Sequence, residues 1–115
     1  MGGFAGMFEI PKALKIGGHI YKIDYNYEFK ERCDRYGHHD HSLKEIVVSD
    51  RCAGGQKRAE SGKVVTLIHE VLHGLDFLTG QEMFDGDEGE KRCDGLSETI
   101  FQFLVDNKYL VLDDV

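Results

Sequence analysis

The order of elements along this 115-residue chain predicts an α+β fold, in which a small antiparallel sheet precedes two packed helices. Residues 19–27 alternate polar residues with tyrosine or isoleucine, as a half-buried strand does. Residues 43–50, "LKEIVVSD", have a β-branched centre that favours a second strand or the second arm of a hairpin. Two long stretches with helical periodicity follow, and they complete the predicted order of strands and then helices.

The first helix is predicted to begin near Gln56 or Ser61 and to end at Thr79, with Gly80 as its left-handed terminal residue. The second is predicted to run from about Glu88 to Asn107. We expect one domain over residues 17–107. The glycine-rich residues 1–16 are expected to be mobile or loosely docked, and residues 108–115 to form a tail.

Composition and charge exclude several classes of function. A net charge of -7 leaves no basic stripe to neutralise phosphates, so nucleic acid is not an expected partner. The sequence contains neither an apolar run long enough to span a bilayer nor the pattern of a signal peptide, so we expect no membrane association. The three cysteines form no CxxC pair, which favours a reducing cytoplasm.

The stretch "TLIHEVLHGLDF", residues 66–77, places His69 and His73 one helical turn apart, with Glu70 between them. Both histidines lie nearly opposite the apolar face formed by Val64, Ile68, Val71, Leu72, Leu75 and Leu78. Two such imidazoles can bind one zinc ion, and Glu70, rotated by about 100°, is better placed as a general base than as a ligand. The alternative is a solvated helix face that carries these residues by chance.

A third ligand is expected from the second helix, where Glu90, Asp94 and Glu98 recur every four residues. The apolar set that fixes the core direction is Cys93, Leu96, Ile100, Phe103 and Leu104. Glu90 lies closest to the edge where the first helix packs, so it is favoured as the ligand. Asp94 would accept the free N–H of a ligating histidine. The alternative is a solvated acidic stripe near a helix N-terminus, and other divalent ions fit the same ligands.

"HEVLH" followed by "EKRCD" resembles the gluzincins, in particular the minigluzincins and small phage-type metallopeptidases, over roughly residues 17–107. The resemblance implies a minimal zincin-like fold, in which the first helix carries HExxH, and a zinc metallopeptidase with a peptide or protein substrate. It also implies a location in the cytoplasm of a bacterium or a phage-infected cell. It implies that His69, His73 and Glu90 bind zinc, that Glu70 is the base, and that Asp94 holds a histidine.

Two departures from the family pattern affect the predicted site. Gly89 stands where gluzincins often have asparagine, and Asp76, on the histidine side of its helix, is a candidate substitute as hydrogen-bond acceptor. No residue is assigned to stabilise the oxyanion. Candidates lie in "YGHHDHS": Tyr36, His38, His39 and His41. An exposed hairpin tip is the favoured interpretation of that segment, because adjacent extended residues point in opposite directions.

Three functional alternatives stay open at this point. The resemblance to minigluzincins implies that the apolar and acidic tail "YLVLDDV" could lie in the cleft and hold the enzyme latent. A non-catalytic, zinc-stabilised binding or regulatory module of phage or mobile-element type is the main rival. An ImmA/IrrE-type regulatory protease also has HExxH and a later acid, but in a different local pattern.

Overall fold

The computed structural model describes residues 10–27, 36–52 and 54–112, with only the backbone at 26 and 27. The strands are β1 (Ala13–Ile16), β2 (His19–Tyr27), β3 (Gly37–Asp40) and β4 (Glu45–Ser49), and the helices are α1 (Glu60–Thr79) and α2 (Gly86–Asp106). This confirms the α+β prediction. The strand order is β1-β2-β4-β3, and β2 pairs parallel to β4. The sheet is therefore mixed, and the prediction of a purely antiparallel sheet was wrong.

The first two strands form a hairpin closed by Gly17 and Gly18, whose φ angles are 59° and 83°. A two-residue turn with positive φ at both positions matches the right-handed twist of the strands, and glycine adopts it without a steric penalty. Ile16, directly before the turn, is 3% exposed and belongs to the core. A domain boundary at residue 16 therefore falls inside this hairpin.

The main core lies between the sheet and α1, and it confirms the alternation predicted for β2. Its buried members are Ile16, Tyr21, Ile23, Ile46, Val48 and Leu67. Tyr25 is half-buried at the edge of this core and donates its hydroxyl hydrogen to the Pro11 carbonyl oxygen at 2.8 Å. The side chain of Tyr27, predicted to continue the same face, lies outside the described residues.

The histidine-rich segment is where the sequence prediction was wrong. Residues 37–40 are not a hairpin tip but β3, the outermost of the described strands on its side of the sheet. His39 pairs with Ile46 of β4. Paired residues on antiparallel strands point to the same side of a sheet, and Ile46 is buried in the core under α1. The imidazole of His39 therefore faces α1.

Helix α1 ends as predicted: Gly80 has a φ of 68° and donates its N–H to the Asp76 carbonyl oxygen at 3.0 Å. Its predicted apolar face does not form one core surface. Leu75 and Leu78 are 45% and 43% exposed, because the sheet and α2 cover only two sides of the helix. Neither described helix is long and apolar enough to cross a membrane.

A second apolar cluster joins α1 to the segment after α2. Leu110 and Leu112 are 4% and 7% exposed and pack with Val64. The partly buried residues around them are Ile10, Ile68, Phe101, Leu104 and Val105. The first part of the predicted tail is therefore held on the side of α1 that carries Val64. Asp113 and Asp114, the acids predicted to reach the cleft, lie outside the described residues.

Candidate metal centre

A cleft of about 670 Å³ opens where β3, α1 and α2 meet. Its lining comes from Tyr36, Gly37, His38, His39, Val65, Thr66, His69, Glu70, His73, Glu90, Asp94, Ser97 and Glu98. The cleft lies on the side of α1 opposite Val64, because His73 is nine residues further along and about 180° around the helix. Every residue predicted to bind or activate a metal, apart from Asp76, therefore borders one cleft.

The two motif histidines point their Nε2 atoms at each other, 3.2 Å apart. The Glu90 carboxylate meets both, with Oε1 at 2.5 Å from His73 Nε2 and Oε2 at 3.4 Å from His69 Nε2. Residues from two helices, seventeen positions apart in sequence, thus converge at a single point. The structure brings together the three ligands predicted from the sequence.

The donor set fits a divalent metal such as zinc. Ligand atoms about 2.0–2.1 Å from a tetrahedral zinc ion lie about 3.3 Å from one another. The separations of 3.2 Å and 3.4 Å among His69, His73 and Glu90 match that spacing. The shorter contact between His73 and Glu90 is a charge-assisted hydrogen bond, which has to open when an ion enters.

Asp94 lies one turn beyond Glu90 and places its Oδ1 3.0 Å from His69 Nδ1. An ionised carboxylate only accepts hydrogen bonds, so it keeps a proton on Nδ1 and leaves the lone pair of Nε2 directed into the cleft. Asp94 thus lies beside a motif histidine, as the predicted role requires. The contact leaves the Nδ1 side of the ring occupied, and Nε2 is the nitrogen available to a metal.

Cys93 offers a sulfur atom that lies within 4.8 Å of ligand atoms of both His69 and His73. It is fully buried and donates its S–H to the His69 carbonyl oxygen at 3.5 Å. Burial, together with the negative charge of Glu90, raises the pKa of the Cys93 thiol to about 12. The thiol is thus hydrogen-bonded across the interface between α1 and α2. The predicted core position of Cys93 is confirmed.

Gly89 departs from the gluzincin pattern for a steric reason. A Cβ atom at this position would lie 2.2 Å from the carbonyl carbon of Phe84, well inside the contact limit. Because the obstacle is backbone, an asparagine side chain could enter only if the loop between the helices moved. The close approach of this loop therefore requires glycine at the residue before Glu90.

Asp76, the predicted alternative acceptor for a histidine, makes a different set of contacts. Its two carboxylate oxygens accept the backbone N–H groups of Met83 and Phe84, each at 2.9 Å, and the residue is 5% exposed. Among the described contacts none joins Asp76 to His73. Its role is to fix the loop between the helices, and through the approach of Phe84 to Gly89 this loop sets the start of α2 and the position of Glu90.

Glu70 is only 5% exposed, and its Oε1 lies 2.6 Å from Nδ1 of His39. Sequence reasoning listed His39 among several candidates but missed this contact. The available signal was the two-residue spacing of His39 and His41, which puts both on one face of a strand. Gly37 makes the approach possible, since a Cβ there would lie 2.7 Å from Thr66 Cγ2 and 3.1 Å from Glu70 Oε2.

The other members of the histidine segment have different positions. His41 stacks on Phe77 with ring centroids 3.9 Å apart, and its Nδ1 lies 3.1 Å from the Tyr21 hydroxyl. Burial lowers the pKa of His41, and electrostatic interactions with His39 and Lys44 lower it further. His38 and Tyr36 line the cleft, and the Arg58 guanidinium lies 4.3 Å over the Tyr36 ring.

Comparison of the chain with protein-family models, curated proteins and solved structures gives no significant match. The interpretation of the cleft therefore depends on its own geometry: two imidazoles and a carboxylate that could hold a metal ion, beside a buried glutamate.

Proposed function

We propose that this protein is a zinc-dependent metallopeptidase of gluzincin type. The observation that carries the proposal is the convergence of His69 Nε2, His73 Nε2 and the Glu90 carboxylate within 3.4 Å of one another, with Glu70 adjacent in sequence to a ligand. Three protein ligands leave one position of a tetrahedral site open, which is the arrangement of catalytic rather than structural zinc sites.

His69, His73 and Glu90 would hold the ion, and Asp94 would fix the tautomer of His69. A zinc ion bound there supplies Lewis acidity, which polarises a peptide carbonyl group and makes water a nucleophile near neutral pH. Bound ions other than zinc fit the same ligands, so the identity of the metal belongs to the proposal.

Glu70 would act as the general base. Its carboxylate would take the proton from the attacking water and deliver it to the nitrogen of the leaving amine. The position of Glu70 next to His69 places it at the wall of the cleft, and its burial shields it from bulk water. A solvated acid at this position would exchange protons with solvent, whereas a buried one can retain the proton until the peptide bond breaks.

The cleft also suits an extended peptide. Of the described strands, β3 is terminal on the side next to α1, and terminal strands leave backbone N–H and C=O groups for a further strand. Gly37, His38 and His39 of this strand line the cleft directly. A peptide or protein substrate is therefore the class we propose.

The test is hydrolysis of an unfolded protein by the purified, zinc-loaded chain, with and without a chelator. Glu70→Gln should reduce the rate by about 10²- to 10⁴-fold, the usual contribution of general acid–base catalysis, while zinc stays bound. Glu45→Gln, at the exposed first residue of β4, is the matched control and should keep the wild-type rate. Retained zinc without hydrolysis in the wild type would favour the non-catalytic zinc module instead.

That the C-terminal tail blocks the cleft and keeps the enzyme inactive is a separate proposal, and its test has to leave the apolar part of the tail in place. Removing residues 109–115 would also remove Leu110 and Leu112, which are part of an apolar cluster. A truncation after Leu112 deletes only the acidic end. If the tail blocks the cleft, this shorter truncation should raise the rate of hydrolysis; an unchanged rate would contradict the idea.

A further inference from the structure

We propose that His39 is a positioning residue, which orients the carboxylate of Glu70 through a hydrogen bond from Nδ1. This inference rests on the proposed function, because it concerns the same general base. It assigns a role to a residue of the edge strand that lies outside the HExxH motif and outside the residues that could bind the metal.

The contact has the geometry of a strong, charge-assisted hydrogen bond. His39 Nδ1 and Glu70 Oε1 are 2.6 Å apart, and the Glu70 side chain is only 6% exposed. A carboxylate that is this deeply buried needs a hydrogen bond from a protein donor, because water reaches it poorly. The other oxygen, Oε2, lies against Gly37, and so the plane of the carboxylate is fixed from both sides.

His39 is itself held in place by its neighbours. Its ring stacks on His73 with centroids 5.3 Å apart and an angle of 27°, and it lies 4.4 Å from the ring of His41. The His41 ring in turn rests on Phe77 and meets the Tyr21 hydroxyl. A donor whose own rotamer is fixed by packing can hold a reacting group within the narrow range that catalysis needs.

The direction of this hydrogen bond distinguishes two roles for His39: positioning Glu70, or donating a hydrogen bond to an oxyanion. An ionised carboxylate only accepts, so the proton must lie on Nδ1 of His39. In a neutral imidazole the second nitrogen, Nε2, is then an acceptor. A neutral His39 with its proton on Nδ1 cannot donate to a developing oxyanion, and we therefore assign it to the support of Glu70.

Three variants test the assignment in the full, zinc-loaded chain. His39→Leu removes the donor, and kcat should fall by about 10- to 100-fold, as expected when a catalytic group is misplaced. KM and zinc content should not change. His39→Asn keeps an N–H near the position of Nδ1 and should recover most of the lost rate. His19→Leu, on the exposed start of β2, is the control and should behave as wild type.

A readout independent of hydrolysis is the ¹H–¹⁵N NMR spectrum of the imidazoles, with His39 assigned from its loss in His39→Asn. We expect a proton on Nδ1 that exchanges slowly with water, and we expect fast exchange in Glu70→Ala. A His39 ring protonated only on Nε2 would overturn the proposal. So would a wild-type kcat in folded His39→Leu. A wild type that binds zinc but hydrolyses nothing would instead refute the proposed function, while the NMR result would still decide whether the contact exists.

Discussion

The two sides of α1 differ in what holds them against the rest of the protein. On one side Val64 packs with Leu110 and Leu112, and contact between apolar surfaces keeps the segment after α2 in place. On the other side His69 and His73 face a cleft, and their neighbours are carboxylates. The first side stabilises the fold through burial of apolar surface. The second side adds little stability by itself, because Glu90 and Asp94 have side chains 52% and 70% exposed and such ion pairs are weak.

This difference separates the residues that stabilise the fold from the residues that form the cleft. The two sides should therefore respond to substitution in opposite ways: substitutions in the cleft should weaken metal binding, and substitutions on the apolar side should lower the stability of the fold.

The largest effect is expected from His73→Ala. Removing one of three ligands should abolish retention of zinc during dialysis, while the metal-free variant should stay as stable as the metal-free wild type. The check is elemental analysis together with urea unfolding in a chelator. A variant that still retains one ion per chain would show that His73 is not a ligand.

The opposite response is expected from Leu110→Ala on the apolar side. Truncation of a buried leucine typically lowers the free energy of unfolding by about 2–5 kcal/mol. Zinc binding by the folded fraction should not change, since Leu110 packs away from the cleft. Denaturant unfolding of His73→Ala and Leu110→Ala in parallel compares their free energies of unfolding. Loss of zinc affinity in well-folded Leu110→Ala would break the separation between the two sides.

Gly89→Ala should lower both the stability of the fold and the affinity for zinc, because the loop that Gly89 contacts positions α2. The added methyl group meets the Phe84 backbone, and overpacking of this kind costs about 1–3 kcal/mol of stability. Glu90 is the next residue, so zinc affinity should fall as well. Gly95→Ala is the matched control, since a Cβ there meets nothing within 4 Å. Equal behaviour of the two variants would contradict the steric argument.

A smaller and more selective effect is expected from Asp94→Ala. Loss of a carboxylate that orients a ligating histidine typically lowers metal affinity by about 10- to 100-fold. Stability without metal should change little, because Asp94 is exposed. Competition titration against a zinc chelator measures the affinity. An unchanged affinity would mean that the contact between Asp94 and His69 has no role in binding.

The smallest effect is a dependence of stability on pH. Burial lowers the pKa of His41 below its ordinary value, so below about pH 6.5 the unfolded chain binds this proton more readily than the folded one. The contribution of neutral His41 is present above that value and is lost as the pH falls. Urea unfolding between pH 5 and 8 should show a shallower decline in His41→Gln than in the wild type.

Local sequence patterns predicted the helices and the alternation of β2 well, because each depends on residues close together in the chain. The convergence of His69, His73 and Glu90 was predictable because helical periodicity fixes which side chains share a face. The parallel pairing of β2 with β4 was not, since it depends on contacts distant in sequence. The role of Asp76 depended on the path of a loop that no periodicity describes. For His39, the strand pairing that turns it towards Glu70 had first to be known.

Zinc stoichiometry decides whether His69, His73 and Glu90 together bind one divalent ion. The measurement is elemental analysis of the wild type and of Glu90→Ala after loading with zinc and exhaustive dialysis, with folding of both checked by circular dichroism. We predict one zinc ion per chain in the wild type and a large loss in the variant. A wild type without zinc, or a Glu90→Ala variant that retains it equally well, would contradict the account.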